Sequence, residues 1–194
     1  VLRIGARDIC LGVPTPRIME EISDLADGVI SAALERRQGA GEPALRECHG
    51  VPWPRFCIVA FGKLGGRELN YRSDLDLVFL HDARADAVSD GSRPLDAGRY
   101  FARLAQRLVS LLGTVTGAGK LYEIDVRLRP DGAKGMLVSS LESFADYQQH
   151  RAWTWERQAL TRARVVAGDP EFAETIETAI RDLLANPSDP AKLA

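Results

Sequence analysis

The hydrophobic and polar positions along the chain first predict two short β-strands separated by a polar connection. Residues 56–61 and 75–80 are apolar runs of strand length, rich in Val, Ile, Phe and Leu, and the second contains Asp76. The connection opens with the glycine-containing turn Gly62-Lys63-Leu64-Gly65-Gly66 and closes at Ser73. Further on, strict alternation over residues 120–129 predicts a third strand with one packed face and one face open to water or a ligand. Tyr122, Ile124, Val126 and Leu128 form the apolar face, and Glu123, Asp125, Arg127 and Arg129 form the other.

Apolar residues at helical spacing predict helices around these strands. The helices are expected over residues 2–11, 15–37, 96–112 and 153–166, after the capping box Ser139-x-x-Glu142, and after the cap Asp169-Pro170. The tryptophans of the 153–166 helix are expected to lie in the core, and Gly168 is expected to end that helix. Residues 136–138 predict a further short strand. Residues 38–53 and 83–94 are predicted loops and residues 186–194 a polar tail, because they show no sustained period.

Two carboxylates at the start of the second strand suggest a metal site. Asp74 and Asp76 are two residues apart, so on a strand both side chains leave the same face of the sheet. Anions held this close repel each other unless a cation lies between them, and hard oxygen ligands favour Mg²⁺. If the third strand pairs nearby, Asp125 can complete a cluster of three carboxylates. An Asp-x-Asp pair by itself is more often a solvated edge or a strand cap.

The glycine turn suggests a phosphate site beside the carboxylates. Gly65 and Gly66 would allow backbone N–H groups to approach a phosphate that a Cβ would obstruct. The turn is no Walker loop, because Leu64 and not Ser or Thr follows Gly62-Lys63. A glycine pair alone is usually only a turn. Arg127 and Arg129 could offer planar donors to phosphate oxygens, or could simply pair with acidic neighbours.

Composition limits the classes of protein that need considering. The 194 residues are 45% hydrophobic and 27% charged, as in an ordinary soluble domain, and the net charge of −2 argues against a general nucleic-acid surface. No apolar run approaches the ~20 residues of a membrane span, and no signal peptide opens the chain. Three cysteines without C-x-x-C spacing, one of them Cys57 in an apolar strand, fit the reducing cytoplasm. Because the chain begins with Val1, we expect a piece of a longer protein.

The motif GKLGGRELNYRSDLDLVFLHD, residues 62–82, resembles the nucleotidyltransferase core of the glutamine-synthetase adenylyltransferases. These bifunctional enzymes add AMP to glutamine synthetase and remove it, using two related copies of this domain. The other matching pieces are Leu104-Ala-Gln-Arg107, residues 121–130, Ala152-Trp-Thr-Trp-Glu156 and Arg162-Ala-Arg164, so that the resemblance covers residues 2–169. Tyr122-Glu123 and the Trp153-Thr-Trp155 pattern resemble the C-terminal, AMP-adding copy.

The resemblance implies an α/β (α+β mixed) fold of nucleotidyltransferase type, with a small mixed sheet, flanking helices and a helical C-terminal appendage. We expect an N-terminal helical segment at residues 1–50, the catalytic core at 51–138, and a C-terminal helical segment at 139–194 that belongs to a longer helical region.

The resemblance also implies ATP as cosubstrate, Mg²⁺ or Mn²⁺ as cofactor, and a tyrosine hydroxyl of glutamine synthetase as AMP acceptor. Asp74, Asp76 and Asp125 would be the catalytic, metal-binding residues, and the phosphate-binding residues would be Gly65, Gly66, Ser73, Lys63, Arg127 and Arg129. A PII-type signalling protein would act through the full-length enzyme, and neither nucleic acid nor membrane is an expected partner. Two alternatives remain: the AMP-removing copy of the same fold, and a non-catalytic regulatory domain that binds nucleotide or a partner.

Overall fold

The computed structural model describes residues 2–39, 54–84, 86–89, 94–117 and 119–186. Residues 40–53 of the predicted loop, most of the predicted tail after 186 and parts of the predicted 83–94 loop therefore lie outside the described residues. Residues 38 and 39, predicted as loop, belong to a helix instead. In chain order the elements are α1 (Leu2–Leu11), α2 (Thr15–Gly39), β1 (Phe56–Ala60), α3 (Gly62–Gly65), β2 (Leu75–His81), α4 (Ala97–Leu112), β3 (Val115–Thr116), β4 (Gly119–Lys120), β5 (Ile124–Asp125), β6 (Val138–Ser140), α5 (Leu141–His150), α6 (Thr154–Ala159), β7 (Arg164–Gly168) and α7 (Pro170–Ala185).

A mixed sheet of five strands forms the centre, in the order β5-β2-β1-β7 with β6 also paired to β2. The two predicted apolar strands pair antiparallel, with Phe56 opposite His81 and Ala60 opposite Leu77. On the other side of β2, the short strands β5 and β6 run parallel to it, one at its beginning and one at its end. This arrangement agrees with the predicted α/β fold, and it places the start of β2 beside β5.

Both faces of the sheet are covered, which explains why β1 and most of β2 are apolar. Alternate residues of β1 enter opposite cores: Phe56, Ile58 and Ala60 pack on one side, and Cys57 and Val59 on the other. The first core is completed by α2 and α4, with Ile30 and Phe101 as members. The second is completed by α5 and α7, with Phe144 and Phe172 as members.

Two predicted helix starts agree with the structure, and a capping side chain lies at each. Asp96 accepts a hydrogen bond from the Arg99 N–H at 2.9 Å and begins α4, and Asp169 accepts one from the Phe172 N–H at 2.9 Å and begins α7. The predicted capping box after strand β6 is shifted by one residue. Ser140, and not Ser139, accepts the hydrogen bond from the Ser143 N–H at 3.1 Å, and Ser140 is also the last residue of β6.

The predicted helix over residues 153–166 is wrong in its second half. Helix α6 ends at Ala159, a 3₁₀ turn follows at Leu160–Arg162, and β7 then pairs antiparallel with the outer edge of β1. Gly168 does not end a helix. It lies in β7 with φ +130°, and a Cβ there would lie 2.3 Å from the Phe56 carbonyl oxygen.

The expectation that the tryptophans lie in the core is also wrong for Trp153 and Trp155, which are 71% and 59% exposed. Trp153 precedes α6 as its cap, and Glu156 is the residue of this short helix that is buried. Among the described helices, none combines the length and apolar character that crossing a membrane would require.

Candidate active site

Three carboxylates meet where β2 begins. Asp74 directly precedes the strand, Asp76 is its second residue, and the parallel pairing with β5 places Asp125 opposite Asp76. Oxygen atoms of the three side chains all lie within 4.8 Å of one another. Asp74 is exposed, whereas the other two are partly buried. The structure thus brings together the three residues that the sequence singled out.

The negative charge of the Asp76 carboxylate, the middle one of the three, is only partly compensated by nearby cations. Burial and then the charges of Asp74 and Asp125 raise its pKa above the ordinary value, while the cations of Arg127 and Lys63 act in the opposite direction. A raised carboxyl pKa means that this environment disfavours the charged form. Because all three side chains offer hard oxygen atoms, the donor set fits Mg²⁺ or Mn²⁺, which would supply the missing positive charge.

Asp125 is held by Arg127, two residues further on. The Arg127 Nε donates to Asp125 Oδ2 at 2.8 Å, and the Arg127 backbone N–H donates to Oδ1 at 2.8 Å. The side-chain hydrogen bond is the main reason that the pKa of Asp125 lies below its ordinary value. Arg127 itself is 78% exposed, so this guanidinium can leave Asp125 with little change in packing.

The backbone hydrogen bond to Asp125 also corrects the predicted third strand. It turns the chain immediately after Asp125, so β5 contains two residues and the predicted strand over 120–129 does not form. Residues 119–120 pair with β3 in a separate ribbon. The apolar alternation instead reflects packing, since Ile124 and Val126 contact the first core and Leu128 the second.

Arg129 closes the loop that follows. Its guanidinium donates to the carbonyl oxygens of Val126 at 2.6 Å, Gly135 at 3.4 Å and Ala133 at 3.4 Å. These donors are engaged with the loop backbone, and phosphate binding by Arg129 stays a prediction.

Gly62 is a site residue that the sequence reasoning missed. It begins the short helical turn α3 with φ +55°, and a Cβ at this position would lie 2.3 Å from Asp76 Oδ2. The missing side chain is what leaves room for the Asp76 carboxylate against the turn. In the sequence, the one feature that could have indicated this role of Gly62 is its position directly after an apolar strand.

Gly65 and Gly66 stabilise the turn through their backbone. Their amides donate within it, Gly65 to the Phe61 carbonyl at 2.9 Å and Gly66 to the Gly62 carbonyl at 3.1 Å. A Cβ on Gly65 would lie 1.8 Å from the Arg162 carbonyl oxygen, so the absence of a side chain at Gly65 allows the turn to pack against the backbone that precedes β7. Phosphate binding by the two glycines stays a prediction.

Lys63 and Ser73 lie on the exposed side of the turn. The Lys63 Nζ donates to Ser73 Oγ at 3.4 Å, and the Asn70 N–H donates to the same oxygen at 3.2 Å. Because Ser73 directly precedes Asp74, this contact places the Lys63 cation at the rim of the carboxylate cluster.

Comparison with known proteins identifies the family of this chain. A protein-family model described as glutamate-ammonia ligase adenylyltransferase matches residues 1–179. Two curated relatives from strains of Xanthomonas campestris pv. campestris, both named bifunctional glutamine synthetase adenylyltransferase/adenylyl-removing enzyme, are 54% identical over 176 and 178 residues. These alignments cover 90% of this chain but only 18% of each relative. The chain belongs to the glutamate-ammonia ligase adenylyltransferase family.

Proposed function

We propose that this chain is an adenylyl-transferring domain that moves AMP from ATP to a tyrosine hydroxyl of glutamine synthetase, with Mg²⁺ or Mn²⁺ as cofactor. The observation that carries the proposal is the cluster of three carboxylates within 4.8 Å, on a chain that belongs to this family. A PII-type protein would regulate the reaction through parts of the enzyme beyond this chain. We place the reaction in the cytoplasm, where glutamine synthetase is expected.

Asp74, Asp76 and Asp125 would hold the metal ions. Bound there, divalent ions would neutralise charge on the triphosphate and favour the ionised form of the acceptor hydroxyl, whose free pKa is ~10. In the transfer, the tyrosine oxygen would form a bond to the α-phosphorus, the bond from that phosphorus to the bridging oxygen would break, and pyrophosphate would leave. The hydroxyl proton would pass to Asp125 or to water.

Lys63 and Arg127 would bind the phosphates from two sides of the cluster. Lys63 extends from the turn, and Arg127 extends from the segment after β5. The guanidinium of Arg127 is exposed, so it would be available to phosphate oxygens, with which a guanidinium makes paired hydrogen bonds, once the charge of Asp125 is compensated by a bound cation. Ser73 would add a hydroxyl donor, while Arg129 keeps the loop in place.

Removal of AMP by phosphate is the second candidate function. The names of both relatives include adenylyl removal, and the same carboxylates would suit attack by phosphate as well as attack by a hydroxyl. A non-catalytic regulatory domain is the weaker alternative, because such a domain would not require all three carboxylates.

A transfer assay tests the proposal. Glutamine synthetase is incubated with the chain and ATP labelled at the α-phosphate, with Mg²⁺, with Mn²⁺, or with a chelator. Label is expected on the protein only with a divalent ion, and Asp76→Asn should abolish it. Glu177→Gln, which removes an exposed carboxylate on α7, is the matched control and should transfer normally.

The reverse direction separates the candidates. Modified glutamine synthetase is incubated with the chain and inorganic phosphate, and ADP is measured. Efficient ADP release without AMP addition would assign the chain to the removing activity instead.

A further inference from the structure

Arg164 connects strand β7 to the turn that carries Gly62 and Lys63. It lies opposite Ala60, at the end of β1 from which the turn departs. The Nη2 group donates to the Leu64 carbonyl at 3.0 Å, and Nε donates to the Gly65 carbonyl at 3.3 Å. These carbonyls end the short helix α3, so the guanidinium caps the turn from its buried side.

The outer edge of the same guanidinium binds helix α2. Nη1 donates to Asp27 Oδ2 at 2.8 Å and Nη2 donates to Asp27 Oδ1 at 3.2 Å. The two side chains are only 24% and 20% exposed, so this is a largely buried, two-point ion pair. A lysine could not reproduce it, because one ammonium lacks the planar fork that reaches carboxylate and carbonyls at once.

The turn between these contacts has little room to move. On its inner side, Gly65 touches the backbone before β7, where a Cβ would lie 1.8 Å from the Arg162 carbonyl oxygen. On its outer side, Gly62 lies against the Asp76 carboxylate. A displacement of the turn by even 1 Å, of the order that matters for catalytic geometry, would therefore change the positions of Asp76 and Lys63.

We propose that Arg164 is a positioning residue of the carboxylate site, which it sets in place by fixing the turn at residues 62–65 against α2 and β7. Arg164 makes no hydrogen bond to the three carboxylates among the described residues, and it acts through the turn. What the site binds rests on the proposed function, whereas the clamping of the turn does not.

Arg164→Lys keeps the positive charge but removes the planar guanidinium that contacts Asp27 and the turn carbonyls at once. Arg164→Gln removes the charge as well. Arg55→Gln is the matched control, because Arg55 makes a comparably buried ion pair with Asp82, 34% and 25% exposed, at the opposite end of β2. Three quantities are measured on variants shown to be folded: hydrogen exchange of the amides of residues 65–68, Mn²⁺ affinity by calorimetry, and kcat and KM for ATP.

Both Arg164 variants are expected to lose exchange protection in the turn and to bind Mn²⁺ about 10–100-fold more weakly, the usual effect of removing a group that supports metal ligands. KM for ATP should rise in parallel. Arg55→Gln should lower the unfolding temperature without changing exchange in the turn or Mn²⁺ affinity.

Wild-type Mn²⁺ affinity in folded Arg164→Lys would overturn the proposal, as would equal weakening by Arg55→Gln. If the wild-type chain itself binds no Mn²⁺, the proposed function fails, and hydrogen exchange still decides the role of Arg164. Loss of protection confined to residues 65–68 would then support the clamp, and unchanged protection would overturn it.

Discussion

Replacing Gly62 by Ala tests how closely the turn and the carboxylate cluster fit. The new Cβ would lie 2.3 Å from Asp76 Oδ2, whereas ordinary van der Waals contact begins at 3.4 Å. The carboxylate must therefore move by roughly 1 Å, away from its position between Asp74 and Asp125. In addition, φ +55° is a left-handed conformation that costs a non-glycine residue about 1 kcal/mol.

The displaced carboxylate and the left-handed backbone at residue 62 predict a small loss of folding stability and a larger loss of Mn²⁺ affinity. The Asp76 side chain can rotate, so we expect a loss of only about 1–2 kcal/mol in the free energy of unfolding. For a domain of this size that loss lowers the unfolding temperature by about 2–8 °C. Mn²⁺ affinity should fall about 10–100-fold, because the middle ligand is displaced.

Calorimetric titration with Mn²⁺ beside thermal unfolding measures both quantities. Gly28→Ala is the matched control: Gly28 is exposed on α2, and no atom lies within 4 Å of a Cβ added there. In a helix this substitution is expected to stabilise by about 0.5–1 kcal/mol and to leave Mn²⁺ binding unchanged. A folded Gly62→Ala variant with wild-type Mn²⁺ affinity would refute the reasoning, since it would mean that the Asp76 position is irrelevant to the metal.

Two further predictions concern single side chains. Asp125→Asn should reduce the AMP-transfer rate by ~10²–10⁴, while ATP affinity, measured by calorimetry, falls far less. Asp76→Asn should impair both the transfer rate and ATP affinity. Near-normal transfer by Asp125→Asn would remove Asp125 from the site. Cys57 has a pKa raised to about 12 by burial, so in a Cys48→Ser background a thiol reagent at pH 8 should modify the exposed Cys10 quickly and Cys57 only on unfolding. The expected thiolate fraction of ~10⁻⁴ at that pH is the physical reason, and rapid double labelling of the folded chain would contradict it.

The part of the site that could be predicted from the sequence is the part fixed by local geometry. Asp74 and Asp76 flank the first residue of a strand, and a spacing of two residues on a strand needs no knowledge of the rest of the fold. The caps Asp96 and Asp169 act on amides three residues away, so they too could be identified locally.

Features that depend on distant partners could not be predicted. Residues 164–168 combine helix-favouring Arg and Ala with two valines, and such a short segment is ambiguous between helix and strand. The segment forms a strand because it pairs with the edge of β1, which lies about a hundred residues earlier in the chain. The length of β5 depended on one hydrogen bond from the Arg127 N–H to Asp125, which alternation does not reveal.

Strand β7 also determines when during folding the site becomes complete. The β1–β2 hairpin needs only its short connection to close, whereas the hydrogen bond between Arg164 and Gly65 joins residues 99 positions apart. Closing the longer loop costs more chain entropy, and contacts of such separation form slowly. During synthesis from the N-terminus, Asp74, Asp76 and Asp125 therefore all leave the ribosome before the strand that fixes the turn. A nascent chain would carry every acidic ligand and still lack an ordered site until β7 has docked.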